Sequence, residues 1–135
     1  MEHVTTWGER AATTRFQGFV SADDLLRNTF QLSADPRFDA VSFVVADFLD
    51  ISGQAFDTSS VRDDLAAQAL GARSSNARFK IVVVSDSPGI SAFTDKVRRA
   101  CASGGPEILA FSTREDATQW MDAQKTPPYF RDTGF

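Results

Sequence analysis

A chain of 135 residues, 42% apolar and 24% charged, has room for one globular domain of ordinary size and is too apolar for disorder. A net charge of −4, with 14 basic residues scattered along the chain, disfavours nucleic-acid backbones and anionic lipid heads as partners. One Cys excludes an internal disulfide framework, and one His excludes His–His metal sites, a Ser–His–Asp triad and a Cys–His pair.

The N-terminus lacks the basic-then-apolar pattern of a signal peptide, and no stretch approaches 18 consecutive apolar residues. A cytoplasmic protein without membrane insertion is the default expectation. His3 sits near what reads as a loose terminus. The first elements are strands at 3–7 and 12–20 around a turn at Gly8-Glu9-Arg10, a hairpin. Phe16 and Val20 have one parity and Phe19 the other, which predicts a twist or bulge at Gly18. Ser21 caps a helix with Asp24 as the reciprocal acid, and Ala22, Leu25, Leu26, Thr29 and Phe30 supply its inner face. Pro36 follows the helix end.

The nearly continuous apolar run at 40–47 predicts a strand covered on both faces, closing in Asp47. A polar loop follows, and Ser59 or Ser60 starts a helix in which Val61, Leu65 and Ala69 repeat at four-residue spacing. Gly71 is placed to end it. Residues 79–84 form a second buried strand. Ser87 and Pro88 then start a helix to about residue 102, in which Ile90, Phe93, Val97 and Cys101 share the buried face. Gly104-Gly105-Pro106 breaks it. A third strand at 107–111 leads to a helix capped by Thr113 with Asp116, burying Ala117, Trp120 and Met121. The tail beyond 125, with Pro127 and Pro128, cannot continue as a regular helix.

The order β-β-α-β-α-β-α-β-α predicts an α/β domain over 1–125, followed by a 126–135 tail. Its sheet is mostly parallel, with an N-terminal hairpin and flanking helices. Three strand-to-helix junctions, at 47–60, 85–89 and 112–113, then gather at one edge of the sheet, where ligands usually bind.

The chain resembles the SpoIIAA-like family, within the wider grouping of STAS and CRAL-TRIO-type domains. Three features carry the resemblance over roughly residues 3–122. They are the strand pair leading through Gly18 into the Ser21–Leu26 segment, the strand closing in Val44-Val45-Ala46-Asp47-Phe48, and the terminal FSTREDATQWM pattern. In anti-sigma antagonist STAS domains, a Ser in an Asp-Ser-Ser-Gly motif begins a helix and is phosphorylated, which breaks association with a partner. Matched position by position, Asp57 takes the place of the motif Asp and Ser59 that of the modified Ser, with Ser60 where the motif has Gly. The resemblance therefore implies a non-enzymatic protein-interaction or regulatory module with Ser59 as the phosphorylation candidate. The competing role for Ser59 and Ser60 is helix capping alone.

Asp47, Asp50, Asp57 and Asp86 form the best acidic set, and adjacent strand ends could pair Asp47 with Asp86 for Mg²⁺ or acid–base work. No His or well-placed Lys completes a catalytic set, since Lys80 lies at the opposite end of its strand. No phosphate-binding glycine motif is present, although the turn at Ser87 could receive an anion. No catalytic residue, metal or cofactor is assigned. The relation to CRAL-TRIO-type folds implies a small apolar ligand as an alternative, with Phe43, Phe48, Phe56, Phe93 and Phe111 as lining candidates. Core packing competes for all five. Self-association is a third reading, through an exposed strand at 12–20 and a cover of Pro127, Pro128, Tyr129 and Phe130. The interaction candidates are thus Asp47, Phe48, Asp50, Asp57, Ser59, Ser60, Asp86 and Ser87.

Overall fold

A computed structural model describes residues 3–101 and 104–124. The tail at 126–135, including Pro127, Pro128, Tyr129 and Phe130, lies outside the described residues. The elements are β1 (Val4–Trp7), β2 (Ala11–Ser21), α1 (Ala22–Ala34), β3 (Phe43–Ala55), α2 (Ser59–Ala72), β4 (Lys80–Val84), α3 (Pro88–Cys101), β5 (Ile108–Phe111) and α4 (Arg114–Ala123). A short 3-10 turn, Pro36–Ala40, separates α1 from β3.

The five strands form one sheet in the order β1-β2-β3-β4-β5, with β1 antiparallel and the other pairings parallel. Parallel strands laid down in one direction, joined by right-handed crossovers, place every connecting helix on the same face. One large core accordingly packs α1, α2 and α3 against that face, centred on Phe16, Phe48, Phe56 and Phe93. Phe16 stacks on Phe48 at 4.8 Å, and Phe56 meets Phe93 edge-on at 4.9 Å. The opposite face carries Phe43, Val45, Val82 and Val84, which Ala117 and Trp120 of α4 cover.

Several expected boundaries move. The central strand begins at Phe43 rather than residue 40, because Pro36–Ala40 winds into the 3-10 turn. Asn76 fixes that turn. It is buried, its amide donates to the carbonyls of Phe38 at 2.7 Å and Val41 at 2.8 Å, and its oxygen accepts from the Arg78 N–H. The strand does not close at Asp47 but runs to Ala55, paired along its second half with β2 alone. The register slips between Arg15 and Gln17 and between Gly18 and Phe19, with Gly18 at φ 66°, so the predicted bulge is present. Residues 12–15 of β2 are paired on both sides and are not an exposed edge, whereas residues 17–21 pair with β3 alone; β1 and β5 are the outer strands.

The α1 capping box forms as expected. Its inner face carries Ala22, Leu25 and Leu26 against the core as expected, and Leu32 is buried as well, whereas Phe30 is 62% exposed. The α2 cap is Thr58, whose hydroxyl accepts from the Val61 N–H, and neither Ser59 nor Ser60 serves. Gly71 lies inside α2, which ends one residue later. His3 is packed rather than loose, tilted on Phe16 at 5.1 Å and accepting from the Gln17 N–H. Cys101 is buried, and burial pushes its thiol pKa up.

Removing the Thr58 hydroxyl isolates the capping contribution. Thr58→Ala is expected to cost about 1 kcal/mol in urea unfolding, while Ser59→Ala and Ser60→Ala stay near wild type. A larger loss from Ser59→Ala would place the cap there instead.

Candidate functional site

The ends of β3, β4 and β5 lie at one edge of the sheet because all three run parallel. β3 overshoots the other two. Asp47 pairs in register with Val84, the last residue of β4, and the eight residues beyond it continue beside β2. This overshoot separates the acids that sequence reasoning grouped together.

Asp47 is a buried carboxylate in mid-strand, only 3% exposed. Its Oδ1 accepts from the Leu49 N–H at 3.0 Å. Its Oδ2 receives Arg114 Nε at 2.5 Å, with Arg15 Nε 3.7 Å away. Arg114, at the first position of α4, also donates from Nη2 to Asp50 at 3.0 Å. The hydrogen bond donated to Asp47 is the main reason that the Arg114 pKa is raised, and Asp50 adds to it. A buried charge held by a forked guanidinium is a satisfied structural group.

Asp57 belongs to a second cluster. Arg62 Nη1 donates to it at 2.7 Å, and Lys96 of α3 approaches to 4.0 Å. Asp86 is exposed, with no ion pair among the described residues. Asp47 and Asp86 therefore do not form a carboxylate couple: Asp47 is occupied by arginines and Asp86 faces solvent. No group of three or more His, Cys, Asp or Glu able to hold a metal occurs among the described residues.

Ser87 accepts weakly from the Ile90 N–H at 3.5 Å, and its own N–H donates to Ser85 Oγ at 3.0 Å. It is a turn and cap residue. Phe48 is buried between Phe16 and Phe56 and is not a surface contact. Phe43 and Phe111 face α4, where each packs against Trp120. Of the five Phe expected around an apolar cavity, Phe48 and Phe93 line the one found.

Ser59 and Ser60 remain at the surface, in the first turn of α2. Thr58 has taken the capping role, so neither hydroxyl is engaged in a hydrogen bond among the described residues. Asp63 and Asp64 are also exposed and without ion pairs among the described residues. The first turn of α2 is thus hydroxyl-bearing, flanked by the salt-bridged Asp57 and Arg62, with Asp63 and Asp64 in the turn that follows.

Sequence reasoning missed the four cations that hold these acids: Arg15, Arg62, Lys96 and Arg114. Arg114 had one available signal, since it follows the Thr113 cap at a strand-to-helix junction already placed on this edge.

No protein-family model matches the chain, and no curated protein sequence matches it. Solved structures do match its fold. The phosphorylated form of the Bacillus cell fate determinant SpoIIAA superposes with a TM-score of 0.59 at 12% identity, over 89% of this chain and 99% of that one. The unphosphorylated anti-sigma factor antagonist SpoIIAA gives 0.53 at 14% identity, over 90% and 98%. An uncharacterised Shewanella loihica protein of the DUF3478 family with a SpoIIAA-like fold gives 0.53 at 14% identity, over 88% and 91%. At these identities the likeness is one of fold: an α/β sheet with flanking helices in the SpoIIAA-like arrangement.

Proposed function

We propose that this chain is a non-enzymatic protein-interaction module, with the first turn of α2 and the adjoining end of β3 as its contact surface. Phosphorylation of Ser59 switches that contact. The observation that carries the reading is the division of labour in Asp57-Thr58-Ser59-Ser60. Thr58 caps the helix, which leaves the Ser59 hydroxyl exposed and unengaged. A phosphate on Ser59 would lie at the positive end of α2. Arg62, one turn along, would be drawn from Asp57 towards it. That exchange alters both charge and side-chain position on the contact surface. The SpoIIAA structures include one in a phosphorylated form, which supports looking for a switch on this fold.

The partner is a protein, recovered by pull-down from native cell extract with the purified chain. Ser59→Glu should then weaken binding at least tenfold by calorimetry, and Ser59→Ala should not. Equal affinity for Ser59→Glu and wild type would reject the switch. Sedimentation distinguishes a homodimer, because a monomeric mass independent of concentration excludes self-association as the contact.

A further inference from the structure

The two faces of the sheet are covered unequally. One lies beneath α1, α2 and α3, whereas the other has α4 alone among the described residues, packed over β3, β4 and β5. The half of that second face made by β1 and β2 is left open. Strand alternation decides which side chains point there. Thr14 is bonded to Asn28 of α1 and Phe16 lies in the main core, so Thr13 and Arg15 point the other way. Cross-strand pairing sets Thr6 beside Thr13 and Val4 beside Arg15 on the same side. Val20 is in the main core, so its neighbour Phe19 also points to the open side. Val4 is 50% and Phe19 55% exposed, and the other exposed large hydrophobics among the described residues, Phe30 and Leu70, belong to the helical layer. Two such side chains on one half-face mark a contact surface.

The end of α4 fixes what can cover it. Arg10, next to the first residue of β2, lies over the Phe43 ring at 5.3 Å and donates from Nη2 to the Gln124 carbonyl at 3.4 Å. Ala11 is the last residue of β2 that shares the α4 cluster. The chain therefore leaves Gln124 where the covered part of the face stops. Eleven residues follow, 125–135, and Tyr129, Phe130 and Phe135 are among them. At about 3.3 Å per residue, Tyr129 and Phe130 reach about 17–20 Å from Gln124, and Arg15 stands about 17 Å along β2 from Arg10. Phe135 reaches about 36 Å, beyond Phe19 at about 30 Å. Pro127 and Pro128 offer no backbone N–H, which suits a segment laid on a face rather than hydrogen-bonded at an edge. The Arg15 guanidinium, half in solvent and 3.7 Å from Asp47, is a cation for an aromatic ring to cover. Attachment at Gln124 also gives the segment an effective concentration of the order of millimolar, well above that of a second copy in dilute solution.

We infer that the open half-face of β1 and β2 is the docking surface for residues 129–135 of the same chain, with Tyr129 and Phe130 seated over Val4 and Arg15 and Phe135 reaching Phe19. The surface lies across the sheet from α2 and does not depend on the switch proposed there.

The test is NMR on the full chain, labelled uniformly. Backbone order parameters over 129–135 should approach the value of about 0.85 found in rigid backbone, and the Val4 methyl groups should show Overhauser contacts to the Tyr129 and Phe130 rings. In a sample mixed from labelled and unlabelled chains, isotope-filtered spectra should show no such contact between molecules. Phe19→Ser, at an exposed position, should lower the order parameters of 133–135 below about 0.6 in a protein that keeps its melting transition. Phe130→Ser should shift the Val4 methyl resonances without touching the described fold, so the experiment stands if the first variant fails to fold. Phe30→Ser, on the helical layer, should change neither reading. Order parameters below about 0.6 throughout 129–135 in the wild type overturn the inference. So do contacts to Phe30 or Leu70 in place of Val4, contacts seen only between molecules, or a folded Phe19→Ser and a Phe130→Ser that leave both readings unmoved.

Discussion

Phe56→Ala is expected to lower the unfolding free energy by about 4 kcal/mol, measured by urea denaturation at neutral pH. Phe56 is 0% exposed and lies between the end of β3 and the cap of α2. Its ring contacts Phe93 of α3 at 4.9 Å and Phe48 of β3 at 5.7 Å. Truncation removes a large buried surface and two aromatic contacts, each worth about 1 kcal/mol beyond its area. The ring packs among elements drawn from different parts of the chain, so the void cannot close by a local shift. Phe56→Leu should recover about half of the loss. A loss below about 1 kcal/mol for Phe56→Ala would mean that the core rearranges to fill the space.

Asn76→Ala should cost about 3 kcal/mol, a large effect for removing one small polar side chain. The amide serves three backbone groups: the Phe38 and Val41 carbonyls and the Arg78 N–H. Alanine leaves all three without it in a buried place. Asn76→Asp should be worse, because a carboxylate has no N–H to donate and would face two carbonyl oxygens. Equal stability for the alanine and aspartate variants would show that water replaces the amide. Thermal melts at one protein concentration read both changes.

The parts of the fold legible in the sequence are those that a single element decides. Residues 81–84 and 108–111 announce themselves by continuous apolar runs, and Ser21 with Asp24 by a local reciprocal hydrogen bond. The mostly parallel sheet follows from the alternation of such elements, and the SpoIIAA-like arrangement was implied by the family resemblance. The overshoot of β3 was not legible. Ser52, Gly53 and Gln54 read as loop, and they become strand only because the second half of β2 lies alongside. Phe30 was assigned inward because it follows Leu26 by four residues, yet the buried stripe of α1 runs through Leu25 and Leu32. In Asp57-Thr58-Ser59-Ser60, three hydroxyls can cap equally well in sequence. The backbone decides, since Thr58 is the residue still in the extended region.

The acids grouped together in the sequence are divided in the structure, Asp47 and Asp50 on Arg114 and Asp57 on Arg62. Asp47 lies at the edge expected of it, but its partners come from positions 15 and 114. Ion pairs across such separations carry no local signal.

The Asp47–Arg114 contact has a temporal side. Its partners stand 67 residues apart, and Arg114 opens the last helix of the described chain. On a ribosome, β3 can align beside β2 long before Arg114 has been made. Until then Asp47 has Arg15 alone, at 3.7 Å and half in solvent. The final helix therefore arrives as a clasp, neutralising a carboxylate that the earlier strands have already drawn inside. A nascent chain arrested before residue 114 should hold the central strands less firmly than the finished protein, with amide exchange around Leu49 and Asp50 the place to detect it.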